Sequence, residues 1–146
     1  MKKYFTVYGK AVAKARPRVT KSGHTYTPKK TKEFETKVQE SYLHQCGGMM
    51  FPKSTPLGIC IEFQFAPPKS WSKGKRKKAE DGELFPTCRP DVDNLCKSIE
   101  DALNGVAYYD DSQIVAMTAR KIYSGEDKTM VEIRAIDGEP IEGVPQ

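Results

Sequence analysis

A chain of 146 residues, 38% hydrophobic and 29% charged, has the composition of a single water-soluble domain. At that length roughly two-thirds of the unfolded surface can be buried, enough for one core without staples. The apolar runs fall far short of the ~20 residues needed to cross a bilayer, and the N-terminus lacks the apolar core of a secretory signal. A cytoplasmic protein with no membrane association is therefore expected.

The cysteines, Cys46, Cys60, Cys88 and Cys96, form no Cys-x-x-Cys pair, and the two histidines, His24 and His44, lie far apart. Structural zinc is not expected, and the thiols read as reduced. The net charge of +5 is spread unevenly. Lys10 to Lys37 is dense in Lys and Arg, opposed only by Glu33 and Glu35, and Lys69 to Lys78 holds six basic residues and no acid. Such a field favours nucleic acid or another anionic surface, although basic runs are often only solvated faces.

In chain order, Lys3 to Lys10 alternates Tyr4, Thr6 and Tyr8 against Phe5 and Val7, a first strand ending at Gly9. A basic loop follows, because Ala15-Arg16-Pro17-Arg18 cannot continue a helix, and Ser22-Gly23-His24 reads as a turn. A helix capped by Thr31, with Glu33 in its first turn, would align Phe34, Val38 and Tyr42 and stop at Gly47-Gly48. Leu57, Ile59, Ile61, Phe63 and Phe65 alternate with Gly58, Cys60, Glu62 and Gln64 in the clearest strand pattern of the chain. Pro67-Pro68 ends it, and a basic segment containing Trp71 follows, with a short helix beginning at Ser72. The lone Trp71 could stack on bases, or pack over the core.

Between Asp93 and Asn104 a helical projection gathers Leu95, Ile99, Ala102 and Leu103 on one face and Asp93, Lys97, Glu100, Asp101 and Asn104 on the other. Gly105 closes that helix. Val106 to Tyr109, Gln113 to Tyr123 and Thr129 to Ile136 then read as strands, and the tail from Asp137 as loose. No repeat or linker divides residues 1–146, which read as one domain.

The chemistry concentrates in the twenty-one residues from Asp91 to Asp111, where Asp91, Asp93, Asp110 and Asp111 cluster in an otherwise basic chain. Singly, each acid has a structural explanation: Asp93 or Asn94 could cap a helix and Asp110-Asp111-Ser112 could be a turn. Together they are harder to explain so, since Asp91 has no capping duty once Asp93 does, and adjacent aspartates repel unless a cation is near. Carboxylates at i, i+2, with another returned by a chain reversal, can hold a hard divalent cation that activates water and neutralises a phosphate. Lys97 is either an ordinary i, i+4 partner of Asp93 or a charge held beside a metal site. The pattern suggests a metal-dependent nuclease.

The run Arg89-Pro90-Asp91-Val92-Asp93-Asn94-Leu95-Cys96-Lys97, with Asp101-Ala102-Leu103-Asn104-Gly105 and Tyr109-Asp110-Asp111-Ser112-Gln113, resembles the RusA family of Holliday-junction resolvases. The likeness extends more weakly to Gly9 to Arg18 and Tyr26-Thr27-Pro28. It implies a small α+β fold, a mixed sheet packed with two or three helices, in a homodimer of a kind often encoded by phages. It also implies Mg²⁺-dependent, symmetric cutting of four-way junction DNA in recombination and repair. Asp91, Asp93 and Asp111 match the family's metal ligands and Lys97 its lysine, with Asp110 an alternative ligand or a helper. Lys14, Arg16 and Arg18 would contact DNA phosphates, a placement resting on charge. The rival expectations are a non-catalytic DNA-binding module, or a nuclease acting on flaps or single strands.

Overall fold

The computed structural model describes residues 1–15, 18–26 and 28–136. The tail from Asp137, expected to be loose, and the loop residue Arg16 lie outside that range. The order is β1 (Lys2–Tyr8), β2 (Arg18–Val19), β3 (Thr25–Tyr26), α1 (Lys29–Cys46), β4 (Leu57–Phe65), α2 (Lys73–Glu80), α3 (Val92–Leu103), β5 (Ile114–Tyr123) and β6 (Lys128–Ala135). A four-stranded mixed sheet runs β1-β6-β4-β5, while β2 and β3 form a separate small hairpin. The expected α+β architecture is the one observed.

Alternation decides which face of the sheet is covered. Phe5 and Val7 of β1, the odd-numbered residues of β4, and Val131 and Ile133 of β6 are buried against Phe34, Val38 and Tyr42 of α1 and Leu95, Ile99, Ala102 and Leu103 of α3. Each fully buried side chain of this size contributes about 1.5–3 kcal/mol relative to exposure. On the opposite face Tyr4, Tyr8, Cys60 and Met130 are exposed, and the Arg120 guanidinium bonds Glu62. β4 runs antiparallel to β6 and parallel to β5. The β4–β5 register slips between Leu57 and Gly58, leaving Val115 as an extra residue on β5.

Three local expectations are corrected. Helix α1 begins at Lys29 behind Pro28, so Thr31 is not a cap and Glu33 lies beyond the first turn. The cause is burial: Thr31 is 1% exposed and extends the Phe34-Val38-Tyr42 stripe by a turn. At its other end Gly47 closes the helix in the left-handed region at φ 72°, as expected. Helix α3 begins one residue earlier than expected, and Asp91, not Asp93, occupies its N-cap position, although its side chain makes no capping bond. The stretch Val106 to Tyr109 is not a strand. Gly105 N–H donates to Tyr108 O at 2.8 Å and Ala107 N–H to Leu103 O at 2.9 Å, curling the chain into a turn. The apolar character that suggested a strand instead serves to bury Ala107 and Tyr108.

The expected short helix is present, with Ser72 Oγ accepting from Lys75 N–H at 3.2 Å as its N-cap. Trp71 packs edge-on against Tyr123 with ring centroids 5.4 Å apart, and the Lys75 ammonium lies 4.0 Å above its ring. Among the described residues no helix is long and apolar enough to cross a membrane.

Leu95 is fully buried one turn into α3, so Leu95→Ala is expected to lower unfolding free energy by about 2–5 kcal/mol. Urea denaturation should show the loss as a lower midpoint with an unchanged slope.

Candidate active site

The polar face of α3 and the turn that follows the helix build the site. Asp91 and Asp93 stand exposed at the helix start, where a carboxylate is favoured by the helix dipole. The Asp91 carboxylate accepts from Asn94 Nδ2 at 3.3 Å. The segment leading into Asp91 is held by β5, because Lys121 Nζ donates to the carbonyls of Cys88 and Pro90, both at 2.9 Å.

One turn further along, Lys97 reaches two carboxylates, Asp101 Oδ1 at 3.2 Å and Asp111 Oδ2 at 3.6 Å. Of the two alternatives for Lys97, the ordinary pair with Asp93 is absent among the described ion pairs; Lys97 bonds C-terminally along the helix, where two carboxylates gather. The hydrogen bond and charge of Asp101 hold the Lys97 pKa above its usual value, and Asp111 adds to the effect. Lys97 is thus held as a full cation at neutral pH.

Asp101 was not singled out as a site residue from the sequence, yet it joins the cluster to the rest of the molecule. Its second oxygen lies 3.2 Å from Lys14 Nζ, which also bonds Glu35 of α1 at 2.5 Å. Burial alone would lower the Lys14 pKa, but its bonds to Glu35 and Asp101 outweigh that and raise it. The Lys14 backbone N–H donates to Asn94 O at 2.9 Å. The ammonium expected to meet a DNA phosphate is therefore engaged inside the protein, at the α1–α3 seam. The sequence signal that could have found Asp101 was its position four residues beyond Lys97 on the polar face.

Asp111 is delivered by a single 3-10 turn, Asp111–Gln113. Gln113 Oε1 accepts from the N–H groups of Tyr109 and Asp110, and its Nε2 donates to the carbonyls of Pro52 and Thr55, both at 3.1 Å. The first two bonds close the turn on itself, and the second two fix it against the loop before β4. Asp110 points elsewhere, accepting from the Ser112 hydroxyl, a bond that also lowers its pKa. Beneath the cluster Tyr108 OH donates to Glu100 O at 2.8 Å. Burial raises the Glu100 pKa; Lys97 opposes that shift, while Asp111 and Asp101 add to it.

Lys97 and Asp111 are therefore brought together, and Asp91 and Asp93 share a helix start. No three His, Cys, Asp or Glu side chains among the described residues are grouped to hold a metal ion. The donor chemistry nonetheless suits a hard divalent cation, since exposed carboxylate oxygens are the ligands such an ion takes. Arg18 lies in β2.

Because Lys14 is the shared partner of two part-buried carboxylates, Lys14→Met should lower stability by about 1–3 kcal/mol, taking the charged donor from Glu35 and leaving Asp101 with Lys97 alone. Thermal unfolding at neutral pH would register this as a reduced midpoint, and Lys14→Arg should recover part of it.

Comparison with known proteins places the chain in a family. The family model for Endodeoxyribonuclease RusA matches residues 9–134. The chain is 39% identical over 140 residues to a protein of Bacillus subtilis (strain 168) described as "Uncharacterized protein YqaN", covering 90% of this chain and 95% of that one. It is 34% identical over 89 residues to the "Crossover junction endodeoxyribonuclease rusA" of Lactococcus phage r1t, covering 59% of this chain and 60% of the phage protein. The chain, with Lys97 and its flanking aspartates inside the matched segment, belongs to the RusA family of endodeoxyribonucleases.

Proposed function

We propose that this endonuclease resolves four-way DNA junctions in recombination and repair by paired symmetric incisions, acting in the cytoplasm as a homodimer and requiring Mg²⁺. The observation that carries the reading is the Lys97 ammonium between Asp101 and Asp111 on the helix that begins with Asp91 and Asp93. The name of the phage relative, a crossover junction endodeoxyribonuclease, agrees with it. A twofold dimer is the simplest source of two matched cuts, since its symmetry mirrors that of the junction. Phage or prophage origin is consistent with the same relative.

In this reading Asp91, Asp93 and Asp111 would hold the divalent cation, with Asp110 an alternative ligand or a helper. When bound, such an ion supplies a water activated for attack and neutralises phosphate charge. The chain's own residues do the rest. Lys97, kept cationic by Asp101, offsets the negative charge that grows on the non-bridging oxygens as water adds to phosphorus. One ester oxygen leaves on the opposite side and takes up a proton, so the products are a hydroxyl and a phosphate monoester. Lys121 orients the start of α3 through the Cys88 and Pro90 carbonyls. Arg16 and Arg18 contact phosphates, because a guanidinium matches a phosphate bidentately, whereas Lys14 anchors the base of their loop.

Asp91→Asn, Asp93→Asn and Asp111→Asn are each expected to abolish cutting of a labelled four-way junction in Mg²⁺ and to leave its binding unchanged or tighter. Each removes a ligand charge at constant size and reduces repulsion toward DNA. Parallel reactions with duplex and flap substrates, and with EDTA, separate junction resolution from flap cutting and from binding alone. Mg²⁺-dependent cleavage retained by all three variants would sink the reading.

Lys97→Ala should slow single-turnover cleavage on the order of 10²-fold while changing affinity little. An unchanged rate with a lowered melting temperature would reduce Lys97 to a structural ion pair.

A further inference from the structure

We infer that helix α2 is a phosphate-gripping surface for the duplex arm that leads into the site, with Lys73, Lys77 and Lys78 as the gripping side chains. The inference rests on the reading of DNA as substrate and names a surface that reading does not include.

The helix has two faces of different kinds. Ala79 is 1% exposed and Arg76 half-buried, while Lys75 lies over Trp71. On a helical projection these three share one side, and Lys73, Lys77 and Lys78, all exposed, take the other. Trp71 is spent on this docking, since its ring is held between Tyr123 and Lys75. It fixes the helix to the sheet, and its packing leaves the outward lysines as the part free to meet a partner.

Those lysines carry uncompensated charge. Lys14, Lys97 and Arg120 each bond a carboxylate. Among the described residues none of the six cations from Lys69 to Lys78 has a carboxylate within 4.0 Å, although Glu80 and Asp81 lie one turn beyond Arg76 and Lys77. A fixed row of cations without internal partners is complementary to a polyanion, whose condensed counter-ions are released when the two associate.

Position points the same way. Tyr123, which holds Trp71, lines a cleft of about 120 Å³ together with Lys10, Arg89, Pro90 and Lys121. Pro90 immediately precedes Asp91. The surface from α2 to the start of α3 is thus bridged by two exposed cations, Lys10 and Arg89, giving a backbone a continuous positive path toward the acids.

The test is fluorescence anisotropy of a labelled four-way junction, in EDTA so that no cutting occurs, over a series of salt concentrations. The variant Lys73→Gln/Lys77→Gln/Lys78→Gln should bind at least about 10-fold more weakly at low salt. Its slope of log affinity against log salt should be shallower by roughly 0.9 for each phosphate that is no longer neutralised. Lys2→Gln/Lys3→Gln/Lys128→Gln removes the same charge from β1 and β6, which β4 separates from the β5 strand that α2 docks on, and should leave the slope as it is. With junction in Mg²⁺ and protein at saturation, the α2 variant should cut at the wild-type rate, because its lysines bind and do not react. An unchanged slope in the α2 variant, or an equal change in both variants, overturns the role of α2 alone. Wild-type protein that neither binds nor cuts the junction overturns the substrate reading and this inference together.

Discussion

The parallel pairing of β4 with β5 is the constraint from which the site follows. Two parallel neighbours cannot be joined by a tight turn, so the chain leaving Phe65 must travel back across the sheet before it can begin at Ile114. Everything between is that crossover: the basic helix α2, the segment clasped by Lys121, helix α3 with Asp91, Asp93 and Lys97, and the turn bearing Asp111. The core requires α3 to press Leu95, Ile99 and Leu103 onto the sheet. Its opposite face is then left to carry charge, and the acids are placed as a consequence of packing.

Charge along that face is ordered by alternation. Glu35, Lys14, Asp101, Lys97 and Asp111 follow one another as anion, cation, anion, cation, anion, each in bonding or ion-pair distance of the next. A row of this kind lets acids from α1, α3 and the following turn be concentrated without net repulsion. It also ties the exposed end of the row to a part-buried end, so Lys97 inherits the fixed geometry of the α1–α3 seam. The raised Glu100 pKa marks where compensation is incomplete, since burial and the neighbouring aspartates there outweigh Lys97.

The turn from Gly105 to Gln113 converts this helix face into a site by returning Asp111 to it. It joins no strand of the sheet, bridging only Asn104 with Tyr108, and its shape is held by the buried Tyr108 and by the four bonds of Gln113. An amide side chain can do this because it offers both an acceptor and two donors. The two adjacent aspartates consequently diverge, Asp110 toward Ser112 and Asp111 toward Lys97.

Periodicity in the sequence was enough to give β1, β4, α1 and α3 to within a few residues, because each buries one face and the apolar spacing records which, whereas the short α2 was read from its start at Ser72. The short-range motif from Arg89 to Gln113 was likewise legible, and with it the family. What the sequence could not determine depended on partners distant in the chain. Thr31 looked like a cap until the depth of α1 against the core was known, and Val106 to Tyr109 looked like a strand because burial, not sheet pairing, demanded its apolar residues. Lys14 read as a phosphate contact on charge alone, since nothing in a linear sequence says that Glu35 and Asp101 will meet at its ammonium. Asp101, though visible on the polar face and in the motif, was given no role for the same reason: that role arises only when α1, α3 and the turn after α3 are packed together. Local pattern determined the elements and the kinds of side chain available, whereas tertiary packing alone decided which charges face each other, because Coulomb interactions depend on distance in space and not along the chain.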